Sequence, residues 1–64
     1  MKFNIILEDG GIYQKVFVLS SKGVAESKYH VLCALKHEGC ISIQKPHKIA
    51  KLIRAKDIYE VEEV

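Results

Sequence analysis

Between His30 and Cys40 the chain reads HVLCALKHEGC, which places two of its three histidines and both of its cysteines in the spacing H-x2-C-x3-H-x2-C. Imidazole and thiolate are the side chains that zinc binds most readily, and four of them around one ion would make a closed structural site. The spacing argues against closure on one ion. A helix rises about 1.5 Å and turns about 100° per residue, so Glu26, His30, Cys33 and His37 share an arc of about 60°, while His30 and His37 stand about 10 Å apart along the axis. Tetrahedral zinc holds each ligand only about 2 Å away. One straight helix therefore supplies pairs, Cys33 with His37 or Glu26 with His30, and a second pair has to come from a symmetry mate or from Cys40 and His47 folded back. The expectation is that Cys33 and Cys40 act as small apolar residues, that the histidines lie on a solvated helix face, and that no metal or other cofactor is bound.

Nucleophilic catalysis would need a thiolate beside a base, an oxyanion site and a cleft that excludes water. Cys33 with His37 is the one pair of suitable type and spacing. A domain of this size with one helix on a sheet leaves little room for a substrate pocket, and Gly10-Gly11, Gly23 and Gly39 read as turns and caps rather than as a phosphate loop. The chain is expected not to be an enzyme.

The charge pattern is the stronger signal. Lys45, Lys48, Lys51, Arg54 and Lys56 follow one another without an intervening acid, and Asp57, Glu60, Glu62 and Glu63 come next. If the two segments pair as neighbouring strands, the charges neutralise one another across the ladder, each pair contributing roughly 0.2 to 1 kcal/mol. Alternatively Lys45, Lys48, Lys51, Arg54 and Lys56 form a nucleic-acid-binding surface, with Tyr13, Tyr59 or His47 available to stack on bases. Against that stand a net charge of only +2 and an aromatic content of 8%.

These residues need elements to position them. Phe3, Ile5 and Leu7 alternate as in a strand, and Asp9-Gly10-Gly11 supplies the chemistry of a tight hairpin turn. A second strand from Ile12 to Leu19 sets Val16 and Val18 on one face and Tyr13, Phe17 and Leu19 on the other, which places it in the middle of a sheet. Ser20 and Ser21 can cap a helix over Gly23 to Glu38, with Val24, Val31, Leu32 and Leu35 as its apolar stripe, Lys28 snorkelling from it and Gly39 ending it. Cys40 to Gln44 alternates as a half-buried strand, and the chain breaks at Lys45-Pro46-His47-Lys48. Ile49 to Ala55 fits either a short helix or a strand, with the strand favoured. Ala55-Lys56-Asp57 is a turn, and Ile58 to Glu62 a last strand.

The order ββα followed by two or three strands makes a single small α+β domain over residues 1–64, mainly an antiparallel sheet with one helix packed on one face. A single helix cannot cover both faces of such a sheet. Either the sheet curls into a partial barrel, or a second copy covers the bare face at Tyr13 and Phe17.

The 64 residues are 48% hydrophobic and 28% charged, as in an ordinary folded domain. No run approaches the roughly 18 apolar residues of a membrane span, and the start Met1-Lys2-Phe3-Asn4 lacks a signal-peptide pattern, so a cytoplasmic protein with reduced thiols and no membrane partner is expected. The functional expectation is a small non-enzymatic interaction module, a homodimeric protein-binding regulator of the kind encoded by phages and other mobile elements and directed at a host. Its working surface is the sheet face at Tyr13 and Phe17. The alternatives are a nucleic-acid-binding protein using segment 45–56 and a small metal-binding protein.

Overall fold

The computed structural model describes residues 1–45 and 48–64. Strands β1 (Phe3–Leu7) and β2 (Ile12–Ser20) form a hairpin, and β3 (Gly23–Val24) turns back along the end of β2. Helix α1 (Lys28–Glu38) follows, then β4 (Cys40–Gln44), β5 (Lys51–Arg54), a 3-10 turn (Ala55–Asp57) and β6 (Ile58–Glu63). All strand pairings are antiparallel, in the order β5-β4-β2-β1-β6, with β3 beside β2. The architecture is thus the expected α+β sheet with one helix, and β2 is its central strand.

The sheet is not flat. Strands β5 and β6 lie at opposite ends of the order, yet only the 3-10 turn joins them, so the two ends must come together. The turn is tied to both halves: Ala55 N–H donates to Gly39 O at 2.9 Å, and Glu8 N–H donates to Asp57 O at 2.9 Å. The long β2 pairs with β1 through its first half and with β4 through its second, so the sheet folds over itself as two layers sharing one strand. Phe3, Ile5, Val16, Val18, Ile41, Ile43, Ile53 and Val61 fill the space between the layers, and Ala25, Val31 and Ala34 close it from the helix side. Of the two ways expected to cover the second face, the sheet takes the first, curling on itself. At the other end of the chain Val64 N–H donates to Lys2 O at 3.0 Å, which sets residues 2 and 64 side by side.

The helix starts at Lys28, five residues later than the Gly23 start that the polar residues at 20 and 21 suggest. Gly23 has φ +99°, a left-handed conformation that ends the β2–β3 turn rather than opening a helix. Ser27, not Ser20 or Ser21, is the N-cap: its Oγ accepts from His30 N–H at 3.1 Å. Ser21 instead donates its hydroxyl to Glu38 Oε2 at 2.9 Å, fastening the β2–β3 turn to the helix end. Val24 and Leu32 are consequently exposed, and the buried stripe is Val31 and Ala34 with Leu35 half-buried. Gly39 ends the helix as expected, at φ +76° with its N–H donating to Leu35 O.

Segment 49–55 resolves in favour of the strand, β5. It pairs with β4 and not with β6, so the basic segment and the acidic one are not neighbours in a ladder and do not neutralise each other that way. Two acids of β6, Glu60 and Glu63, meet the helix start instead. Glu63 Oε2 accepts from Lys28 N–H at 2.6 Å and Glu60 Oε1 lies 3.7 Å from Lys28 Nζ, where the positive end of the helix dipole favours carboxylates.

Candidate functional site

A bulge in β2 decides which aromatic residue faces inward. Phe3 pairs with Val16 but Ile5 pairs with Tyr13, one residue short of regular antiparallel counting, so β2 carries an extra residue there. Lys15 absorbs it at φ +53°, and its N–H donates to Asn4 Oδ1 at 3.0 Å. The alternation of sides is thereby reset. Tyr13 joins Val16 and Val18 on the inner side, packed against the core, while Phe17 stays on the outer side with Lys2 Nζ 5.6 Å from its ring centroid. The two residues expected to share a sheet face are on opposite ones.

The same alternation aims the lysines. On β4, Ile41 and Ile43 are buried and Lys45 continues their column just past the strand end; on β5, Ile53 is buried and Lys51 continues its column at the strand start. The three inward columns of β2, β4 and β5 therefore end in Tyr13, Lys45 and Lys51. Lys45 Nζ lies 5.6 Å and Lys51 Nζ 5.4 Å from the Tyr13 ring centroid. The Tyr13 side chain raises the pKa of Lys51 above the ordinary lysine value, through hydrogen bonding first and charge second, so its ammonium stays charged.

Tyr13 and Lys51 form a wall common to two concavities. One, about 190 Å³, has Lys45, Lys48 and Lys51 around Tyr13, with Ile43 and Ile49 as its apolar part. The other, about 360 Å³, lies between the β1–β2 turn and β5, with Leu7 and Ile53 below and Glu8, Asp9 and Asp57 at its margin. Of the five basic residues singled out in the sequence, Lys45, Lys48 and Lys51 thus converge. Arg54 is opposite Cys40 on the outer side of β5, and Lys56 is exposed in the 3-10 turn. Tyr59 is exposed on β6, and His47 and Pro46 lie outside the described residues. The acidic half of the site was not anticipated, because Glu8 and Asp9 belong to a turn and Asp57 to a link that only curling brings opposite β5.

The residues of the H-x2-C-x3-H-x2-C stretch do not assemble a metal centre. Among the described residues no group of three or more His, Cys, Asp or Glu side chains is placed to hold an ion. His30, Cys33 and His37 line a shallow depression of about 40 Å³ beside Lys22. His30 Nδ1 accepts from Glu26 N–H at 3.4 Å, and Cys33 sits beside Tyr29, whose hydroxyl pKa it raises by hydrogen bonding and charge. Cys40 starts β4, and both thiols are free and half-buried. Among the described residues no helix is long and apolar enough to cross a membrane.

Comparison of the chain with protein-family models, with curated proteins and with solved structures finds no match to any of them.

Proposed function

We propose that this chain is a small non-enzymatic binding module that holds single-stranded nucleic acid, stacking a base on Tyr13 and engaging phosphates with Lys45, Lys48 and Lys51. The observation that carries the reading is the convergence of Lys45 and Lys51 on one aromatic ring, 5.6 and 5.4 Å from its centroid. Single-strand binders combine a cationic track with an aromatic platform in this way. The lysines do not block the platform. A cation over a ring reached by solvent is worth roughly 0.5–1 kcal/mol, whereas stacking of a base on the half-buried Tyr13 is worth about 1–3 kcal/mol. Releasing both ammoniums from the ring costs about 1–2 kcal/mol, which one stacked base at about 1–3 kcal/mol offsets while the freed lysines gain phosphate contacts. The setting we assign is the cytoplasm, where free thiols such as Cys33 and Cys40 persist.

The test is fluorescence anisotropy of a labelled single-stranded oligonucleotide over a range of salt. Three lysine–phosphate contacts give a slope of log K against log salt of about −2. Y13A and the triple charge reversal K45E/K48E/K51E each abolish or severely weaken binding while leaving the far-UV circular dichroism intact. Absence of binding at low salt, or binding that ignores salt, overturns the reading.

A protein partner is the second reading, and one observation favours it: among the described residues no strand pairs with the far edge of β5, which carries the exposed Leu52. An added strand would extend the sheet there. Pairing of β5 with β5 of a second copy about a twofold axis sets Lys51 against Arg54, and like charges directly opposite are destabilising. The edge therefore suits a foreign acidic strand better than a homodimer. Binding of this kind responds to L52E and is insensitive to Y13A, because Tyr13 lies on the inner side of the sheet.

A further inference from the structure

The basic concavity accounts for phosphates and Tyr13 accounts for stacking, but neither explains the larger, acid-lined cavity that shares Tyr13 and Lys51 with it. We propose that this cavity reads the edge of the base stacked on Tyr13 and selects guanine. The inference rests on the nucleic-acid reading above and adds a base preference to it.

Size and lining come first. At about 360 Å³ the cavity is in the range of small-molecule sites and admits a purine. Leu7 and Ile53 give it an apolar floor continuous with the core, and Tyr13 gives it a flat aromatic side. Its polar groups are carboxylates, Glu8, Asp9 and Asp57, with Lys51 at the boundary. Asp9 has committed Oδ1 to Gly11 N–H at 2.8 Å, whereas among the described residues no hydrogen bond engages the Glu8 and Asp57 carboxylates.

Charge fixes the orientation of a nucleotide across Tyr13. The phosphate is drawn to Lys45 and Lys48 and repelled from Glu8, Asp9 and Asp57, so the base must occupy the acidic side. An ionised carboxylate only accepts hydrogen bonds, through two oxygens in one plane. Guanine is the base whose Watson–Crick edge presents two adjacent donors, N1–H and the N2 amino group, at the spacing of those oxygens. Its remaining group on that edge, the O6 acceptor, needs a donor, and Lys51, which lines both concavities, supplies one when guanine is bound and turns to a phosphate when it is not. Adenine and cytosine offer an amino donor beside a ring-nitrogen acceptor. Uracil and thymine offer one imino N–H between two carbonyl acceptors, which a carboxylate repels.

The experiment compares an oligothymidine with the same oligomer carrying one central guanine, adenine or cytosine, by anisotropy at about 50 mM salt, where phosphate contacts are strong. A single guanine avoids four-stranded assembly. The expected result is that the guanine oligomer binds about tenfold more tightly than oligothymidine, the gain of one bidentate base contact, with adenine and cytosine between. The double variant E8Q/D57N should lose that preference, with guanine and thymine oligomers binding alike, while oligothymidine itself binds more tightly than to wild type because two carboxylates that repel phosphate and the thymine carbonyls are neutralised. Equal affinity for all four oligomers overturns the base-reading proposal and leaves nucleic-acid binding standing. A guanine preference that survives in E8Q/D57N also overturns it. Failure of every oligomer to bind overturns both.

Discussion

Lys51 Nζ stands 5.4 Å from the centroid of the Tyr13 ring, at the point where the inward columns of β5 and β2 end. The contact raises the pKa of Lys51 above the ordinary value of 10.5. A lysine whose folded-state pKa exceeds its unfolded value contributes stability that is fully present below the unfolded value and is lost as pH rises through the folded one. Wild type should therefore lose more stability than K51M between about pH 10 and pH 12, and the two should run parallel below pH 9. Urea midpoints across that range measure it; parallel curves throughout would show that Lys51 gains nothing from Tyr13.

The bulge residue Lys15 holds a left-handed backbone at φ +53°, which costs a residue with a Cβ about 1–2 kcal/mol. K15G should stabilise the fold by about 1 kcal/mol, raising the melting temperature by about 4–8 °C in a domain of this size. N4A should act in the opposite direction, since it removes the acceptor for Lys15 N–H. Thermal melts of both decide it, and destabilisation by K15G would mean that the lysine side chain matters more than the strain.

Both ends of α1 depend on one residue each. S27A removes the acceptor for His30 N–H and should cost about 1 kcal/mol. G39A should cost about the same, from backbone strain alone: an added Cβ meets nothing within 4 Å, but φ is +76°. Chemical denaturation of the two single variants and the double variant tests this. The two sites lie at opposite ends of the helix, so their effects should add.

Phe3 and Phe17 are chemically identical and sit on opposite sides of the sheet. Phe3 is wholly buried, so F3A should cost about 3–5 kcal/mol, an amount that leaves a domain this small largely unfolded. F17A removes a half-buried ring lying under Lys2 and should leave the protein folded, with a loss of about 1–2 kcal/mol. Circular dichroism and one-dimensional NMR distinguish the two outcomes, and an unfolded F17A would contradict the outward placement of that ring.

Most of the strands were legible because their information is local. Phe3 and Ile5 alternate with Asn4, Ile41 and Ile43 with Ser42, and Val16 and Val18 flank Phe17 in a strand apolar on both faces, while Gly10 and Gly39 mark a turn and a helix end through the positive φ they adopt. The inward placement of Tyr13 was not legible. It depends on a one-residue bulge held by lysine, a residue type that gives no sign of a left-handed backbone, and by an asparagine eleven positions away. The helix start was misplaced because two serines preceded a plausible apolar stripe, while the working cap was the third serine, Ser27. The candidate site was half legible. The run from Lys45 to Lys56 announced a cationic segment, but only strand alternation separates Lys51, which faces Tyr13, from Arg54, which does not. The facing carboxylates of Glu8 and Asp57 come from sites nearly fifty residues apart, joined by Glu8 N–H donating to Asp57 O.

The hydrogen bond from Val64 to Lys2 means that the polypeptide enters and leaves this fold at one spot. A short linker could close the backbone into a ring, and new ends could be opened at the exposed Asp9-Gly10 turn without breaking a strand. For the same reason the whole unit can be spliced into a surface loop of another protein, since the host chain is interrupted by no more than the gap between two adjacent strands. Such a graft would carry Tyr13 and its lysines as one transferable cassette.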